Sequence, residues 1–378
     1  MFQFKISKSV DPLEWNQNLL KSEFSTFFQT YEYIQSQSID KDNFPIFIEI
    51  FDGENEIKGQ LGMIIHKSAT VYSSKKLKKI INLFSDLGKR GNWAGGPIIH
   101  SKDKKDRLEI LKIIILALEK VGRDYNLAVV DGYTPHQDNL IDENIRNEFK
   151  KSNYQIENFF TFVTSLEQSL DDIWEYVHKS TKRDVNRAKK REIKIKELSE
   201  FSELDNYFDL SKTWAKTKGI DVEQILKRKD GYWKCIESKI DKIFLAFENE
   251  ELVSAHLLGV FNNIAFSHKL TNSYSKATSL GGPLLTWHAI EWAKKSGMKI
   301  YDYSGGKSPP IDKNELEKYH AQWDSLLSYK RKWGGKEFPY FHVLKIRRSS
   351  SYKMFRILSK IDWTFRNYKR KQFQRPNK

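Results

Sequence analysis

The stretch SLGGPLLTWHAIEWAKKSGMKIYDYSGG, Ser279 to Gly306, decides the fold. Gly281-Gly282-Pro283 opens onto apolar residues at helical spacing, Gly297 stops them, and KIYDYSGG then alternates like a strand ending on a glycine pair. The chain carries the same order earlier. NWAGGPIIH sets Gly95-Gly96-Pro97 ahead of RLEILKIIILALEKVG, a helix by its period, and NLAVVDGY follows as a strand. Working outward, each copy is preceded by β-rich runs around a polar turn: FPIFIEIFDGENEIKGQLGMIIH (Phe44 to His66) and KIFLAFENEELVSAHLLGVFNNIAFSHKL (Lys242 to Leu270). Hairpin, GGP loop, amphipathic helix, glycine and strand therefore occur twice over. Ile46 and Ile243 are 197 positions apart but Gly122 and Gly297 only 175, so the loops between matched elements differ in length.

The length agrees with a duplication, since 378 residues suit two domains at about 150 residues each. A composition of 39% hydrophobic and 13% aromatic residues argues against disorder. The formal net charge of +15 calls for an anionic partner, and nucleic acid, a nucleotide-linked substrate and an anionic membrane surface all fit it. The single cysteine, Cys235, rules out an intrachain disulfide and a thiolate zinc site, and in the helical GYWKCIESKI it reads as packing. MFQFKISKSVDPLEW puts charge and Pro where a secretory signal needs an apolar core, and the longest apolar run, Ile113 to Leu118, is far short of a membrane span. The expectation is a cytoplasmic protein.

Between the copies, Ile173, Val177, Val185 and Ala188 follow a helical period in a segment whose exposed positions are cationic, and IKIKEL then alternates like a strand. Phe201 to Ile240 reads as helical with an interruption at Lys218-Gly219. After Val343 comes a basic amphipathic segment with Phe355, Leu358, Ile361 and Trp363 expected along one side, either a solvated terminal helix or a contact for anionic lipid or RNA.

No GxxxxGK[ST] phosphate loop, HExxH metal motif or GxSxG nucleophile elbow occurs. The nine histidines are scattered, and strand histidines such as His256 and His268 read as structural. What fits is chemistry that depends on positioning and charge stabilisation. SYSKATSLGGPLLTWHAIEWAKKSGMKIYDYSGG, followed by SLLSYKRKWGGKEFPYF, resembles the C-terminal half of the Fem-type aminoacyl transferases and their relatives in the GNAT acyltransferase superfamily. FSTFFQTYEYIQS and RGNWAGGPII resemble the N-terminal half, so the likeness spans nearly the whole chain.

The resemblance implies an α/β protein of two tandem GNAT-like domains, each a mixed sheet flanked by helices. The expected boundaries are 1–160, 161–345 with the active site, and 346–378 as a basic helix and tail. It implies amide-bond formation on an amine of a cell-envelope, peptidoglycan or polysaccharide precursor. The donor it implies is aminoacyl-tRNA, with acyl-CoA as the alternative and no metal or other cofactor. A non-catalytic protein that binds nucleic acid or the inner membrane face remains a separate reading. The family's aromatic-Lys pair falls on Tyr329-Lys330, implied to meet the donor's RNA end and the developing oxyanion. One such oxyanion donor typically supplies about 3–4 kcal/mol, and an aromatic stacked on a base roughly 1–3 kcal/mol.

Trp333 and Gly334 complete that motif, and Gly335 beside them lets the backbone turn or approach a ligand. Gly281 and Gly282 are the donor-loop candidates, although TSLGGP does not match the R/Q-x-x-G-x-G/A pattern of coenzyme A loops. Asp302 is the candidate for orienting or deprotonating the amine, with capping of the strand end as the alternative. Lys182, Arg183, Arg187 and Lys190 are candidates for phosphate or RNA contact, or else the solvated face of a helix. The long helical hairpin that many Fem-type proteins carry has no counterpart in this sequence.

Overall fold

In the computed structural model, residues 2–38, 43–67, 85–136, 143–218, 222–273, 280–308 and 321–357 are described, with 360, 361 and 364. They fall into two units, one comprising 1–157, 215–235 and 342–378 and the other 158–214 and 236–341. Both units are discontinuous in sequence, whereas the sequence reading drew contiguous blocks. Along the chain come β1 (Gln3–Ser7), α1 (Pro12–Leu19), α2 (Tyr31–Ser36), β2 (Phe44–Phe51), β3 (Ile57–His66) and β4 (Arg90–Trp93). Next are β5 (Ile98–Ile99), α3 (Lys104–Asp124), β6 (Val129–Tyr133) and α4 (Glu143–Lys151). Then follow β7 (Gln155–Ser165), α5 (Leu170–Tyr176), α6 (Lys179–Lys190), β8 (Lys194–Glu197), α7 (Leu204–Lys218), α8 (Val222–Leu226) and α9 (Lys229–Glu237). The last are β9 (Asp241–Glu248), β10 (Glu251–Phe261), β11 (Ile264–Asn272), α10 (Gly281–Lys295), β12 (Ile300–Lys307), α11 (Ala321–Arg331) and β13 (Lys336–Ile346).

The first unit's sheet has the order β1, β2, β3, β4, β6 and the 342–346 part of β13. Its neighbours are antiparallel except β4 and β6, which run parallel. The second unit repeats this pattern as β8, β9, β10, β11, β12 and the 158–165 part of β7. Here the one parallel pair is β11 and β12. A parallel neighbour requires a crossover, and the helices read from the sequence supply it: α3 before β6 and α10 before β12. These are two copies of one α/β unit, each a mixed sheet with helices packed on it, as the repeat predicts.

Burial explains why those helices form where they do. Ile110, Leu111, Ile114, Leu118 and Val121 of α3 are essentially inaccessible against Ile46, Ile48, Leu61 and Met63. In the second unit, Leu285, Trp287, Ile290 and Ala293 of α10 close over Phe244, Ala265 and Tyr301. Each such large apolar side chain contributes roughly 1.5–3 kcal/mol. Asp103 caps α3, accepting from the Lys105 and Asp106 amides at 2.9 Å each. All four residues of the period between the copies are buried, but the helix is broken into α5 and α6 because Val177 is extended and His178 serves as the second N-cap.

Two details differ from the sequence reading. The Lys242–Leu270 segment holds three strands, because Asn262-Asn263 makes a second tight turn with φ of 48° and 63° after the one at Asn249-Glu250. Asn tolerates that left-handed backbone, and two-residue hairpin turns require it at both positions. The two GGP segments also behave differently. The first is followed by β5 before α3 begins, while the second lies inside the first turn of α10, where Pro283 costs no hydrogen bond because those amides have no intrahelical acceptor. Past β13, residues 349–357 are helical. Of the apolar stripe expected there, Phe355 is half-buried and Ile361 exposed, while Leu358 and Trp363 lie outside the described residues.

Asp241 begins β9 at 3% exposure, its Oδ1 has no hydrogen-bond partner, and burial pushes its carboxyl up to about 8. A carboxyl whose folded pKa exceeds its unfolded value stabilises most below the unfolded value and loses that contribution as pH rises through the folded one. Wild-type stability should therefore fall between about pH 4 and pH 8 relative to Asp241→Asn. Melting curves should show the variant ahead by on the order of 5 °C at pH 8.5 and level at pH 4.5.

Candidate active site at the bulge of strand β12

Strand β12 carries IYDYSGGK, and its alternation holds through Tyr303. Tyr301 and Tyr303 enter the core with ring centroids 4.8 Å apart, while Asp302 takes the opposite face. The ladder with β7 then slips between Asp302 and Gly305, a bulge in which Ser304 has φ of 60°. A non-glycine residue held there costs about 1–3 kcal/mol unless its surroundings fix it. Asp302 fixes it. Its Oδ1 accepts the Ser304 amide at 2.6 Å and also the hydroxyl of Thr161 on β7. Gly305 must be glycine, because a Cβ there would lie 1.5 Å from the Phe160 carbonyl oxygen.

The bulge offers two oxygens to one cation. Lys330, at the end of α11, donates from Nζ to Ser304 Oγ at 2.7 Å and to the Gly305 carbonyl at 3.3 Å. Burial pushes this ammonium down to about 8, against the opposing pull of Asp302. An ammonium has three N–H donors and two are engaged here.

Tyr329 stands next to it, with its hydroxyl 3.3 Å from Thr286 Oγ1 of α10. Thr286 donates to the Gly282 carbonyl at 3.0 Å, so the Tyr329 hydroxyl is the donor in their pair. Burial raises the Tyr329 phenol and keeps it neutral. Trp333, at 1% exposure, backs this arrangement, edge-on to Tyr329 at 6.2 Å and stacked on Tyr303 at 6.3 Å. Gly334 adopts φ of 79°, and a Cβ there would lie 2.7 Å from that of Tyr176. Gly335 passes so close that its Cβ would meet Val163 N at 3.0 Å and Tyr303 Cε2 at 3.1 Å.

The structure thus brings Lys330, Asp302, Tyr329, Trp333 and Gly334 together in the second unit. Asp302 has no exposed surface and both Thr161 and Ser304 N on one oxygen, so its visible role is to hold the β12 bulge rather than to act as a base open to substrate. Gly281 and Gly282 are buried in the first turn of α10. Their Cβ atoms would come within 2.4 Å of Ser254 Oγ and 2.8 Å of Asn272 Oδ1, so glycine lets the helix start press onto β10 and β11. Its N-cap residue, Leu280, supplies no side-chain hydrogen bond to that N-terminus. Of the four candidate cations on α6, Arg183, Arg187 and Lys190 are exposed. Lys182 turns back to the Glu175 carbonyl at 3.1 Å, and Arg187 lies 3.8 Å from Asp184. Among the described residues, no group of three or more His, Cys, Asp or Glu is arranged to hold a metal ion.

Sequence reasoning missed Thr161, Thr286 and the Lys330-holding role of Ser304. Ser304 was visible inside YDYSGG, but Thr161 sits 141 positions from Asp302 and carries no local signal. It also missed a polar cluster in the first unit, where Asp131 is the third residue of β6 as Asp302 is of β12. His342 Nε2 lies 3.0 Å from Asp131 Oδ2, and Arg90 Nε lies 2.8 Å from Oδ1.

Sequence comparison finds no matching family model and no matching curated protein. Solved structures do match. FemX superposes with a TM-score of 0.66 at 11% identity, over 93% of this chain and 99% of its own. The L-PGS structure from Bacillus licheniformis gives 0.54 at 12% identity over 95% and 99%. A tandem GNAT protein from the clavulanic acid biosynthesis pathway gives 0.54 at 9% over 91% and 98%. At such identities the likeness is one of fold.

The bulge is rigid because backbone atoms, not flexible side chains, surround Gly305. Gly305→Ala should lower the second unit's stability by about 3 kcal/mol or more, whereas Gly53→Ala, with nothing within 4 Å, should stay within about 0.5 kcal/mol. Denaturant melts of the two variants provide the comparison.

Proposed function

We propose that this chain, whose fold is the tandem-GNAT fold of Fem-type proteins, is an N-acyltransferase that works at the β12 bulge. The observation that carries the reading is Lys330: a desolvated ammonium, held by two oxygens of the bulge, with a third N–H left to give. Acyl transfer to an amine builds negative charge on the carbonyl oxygen as it becomes tetrahedral. A fixed cationic donor in a water-poor setting stabilises that charge without reorganising. The amine nitrogen forms the new bond to the acyl carbon, the ester or thioester bond breaks, and the amine's proton ends on the leaving oxygen or sulfur. Asp302 acts through others as a positioning residue: it holds Ser304, which holds Lys330. Tyr329 ties Lys330 to the start of α10, and Trp333 supports Tyr329 from the core.

The favoured donor is aminoacyl-tRNA and the acceptor an amine of an anionic or lipid-linked envelope precursor, peptidoglycan being the first candidate. Two features support this: the Fem-type fold, and the exposed Arg183, Arg187 and Lys190 on α6, suited to phosphates. Charged tRNA is made in the cytoplasm, which is where we place the protein. The N-terminus of α10 at Gly281 and Gly282, to which Leu280 gives no side-chain cap, favours a second donor, acyl-CoA, whose pyrophosphate such amides bind.

Thermal-shift titrations separate the two. Stabilisation by an aminoacyl-RNA mimic ending in CCA, lost in Lys330→Ala, supports the first donor, and stabilisation by coenzyme A supports the second. Silence from both overturns the enzyme reading. In a transfer assay, Lys330→Ala should cost about 10²–10³-fold in kcat with the fold retained. The acting form is the ammonium, so its share of activity should decline as pH rises through about 8, and that alkaline limb should vanish in Lys330→Ala. A limb that rises through the same pH would instead make Lys330 a neutral base.

A further inference from the structure

The protein's positive charge is concentrated at its end. Residues 345–378 contain twelve Lys and Arg against the single acid Asp362, a net +11 of the total +15, so the other 344 residues carry only +4. The reaction site uses none of these cations. The described part of this segment also presents apolar surface to solvent. Residues 349–357, 360, 361 and 364 are helical, and Met354, Ile357 and Ile361 are 45%, 61% and 43% exposed. Their spacing of three and four places them on one helical face. Lys353, Arg356 and Lys360, all exposed, follow the same spacing one position earlier, so a cationic strip borders the apolar one.

We infer that this C-terminal helix docks the protein on an anionic lipid bilayer, with Met354, Ile357 and Ile361 entering the headgroup region and the flanking cations meeting lipid phosphates. Both halves of the pattern are needed to choose the partner. A phosphate backbone alone accounts for the cations but gives no return for exposed aliphatic side chains. A bilayer interface takes up both, and the long Lys and Arg stems reach its phosphates beside a buried apolar stripe. Among the described residues, no helix is long and apolar enough to cross a membrane, so the contact lies on the surface. The inference is independent of the acyl-transfer reading: it concerns where the protein sits and survives a failure at Lys330.

The test is flotation of the full-length protein with vesicles of phosphatidylcholine alone or with ~30% phosphatidylglycerol, at about 50 and about 500 mM salt. Binding to the anionic vesicles only, weakened by salt, is expected. Each cation near an anionic surface is worth roughly a fivefold change in partition, so changing Lys353, Arg356 and Lys360 together to Gln should reduce binding about 100-fold. Changing Met354, Ile357 and Ile361 together to Ser should reduce it at least about tenfold with an unchanged melting temperature, since these side chains are already exposed. No binding to anionic vesicles, or binding indifferent to the Ser substitutions, overturns the inference. So does single-stranded RNA that displaces the vesicles and binds the Ser variant as tightly as the wild type, which would make nucleic acid the partner.

Discussion

The buried carboxylate of Asp302 is the constraint on which the candidate site depends. A carboxylate with no exposed surface is tolerated only when hydrogen bonds replace water, and those bonds come from Thr161 and from the Ser304 amide two residues on. To reach that amide the strand must bulge, and the bulge puts Ser304 into the left-handed region beside the Gly305 carbonyl that accepts from Lys330. Both oxygens then converge on one ammonium. Lys330 is thus fixed by a chain of local necessities that starts at Asp302.

The energetics of this arrangement are those of a functional site rather than a stability element. A lysine pulled from water, a serine at positive φ and a buried acid each cost stability, and the surrounding packing offsets them. Trp333 and Tyr303 stack behind the site, Gly334 and Gly335 let the chain leave α11 against Tyr176 and Val163, and Leu285 and Trp287 close the core beneath. The duplication makes the contrast sharper. In the first unit the matched acid, Asp131, meets His342 and Arg90, so one strand pattern carries two different polar arrangements.

Much of the architecture was legible because it is periodic. The 3.6-residue spacing of Ile110 to Val121 and of Leu284 to Ala293, and the alternation of Ile46 to Ile50, require one buried face each, and those faces are the cores observed. The GGP landmarks exposed the repeat, and the repeat foretold two similar sheets. What the periodicity concealed were turns with special backbone. Asn262-Asn263 hid a strand boundary inside an apolar run, and the Val177–His178 break divided one apparent helix into two.

Local sequence by itself determined the elements, their pairing into two copies, and the motif Tyr329-Lys330 with Trp333-Gly334, because these depend on residues within a few turns of one another. Only the tertiary structure decided what the motif does. It took Thr161 from β7 and Ser304 from β12 to hold Asp302 and Lys330, and it placed Trp333 in the core rather than at the surface. Desolvation depends on every atom packed around a group, and the atoms that lower the Lys330 ammonium are scattered along the chain and gathered only by folding.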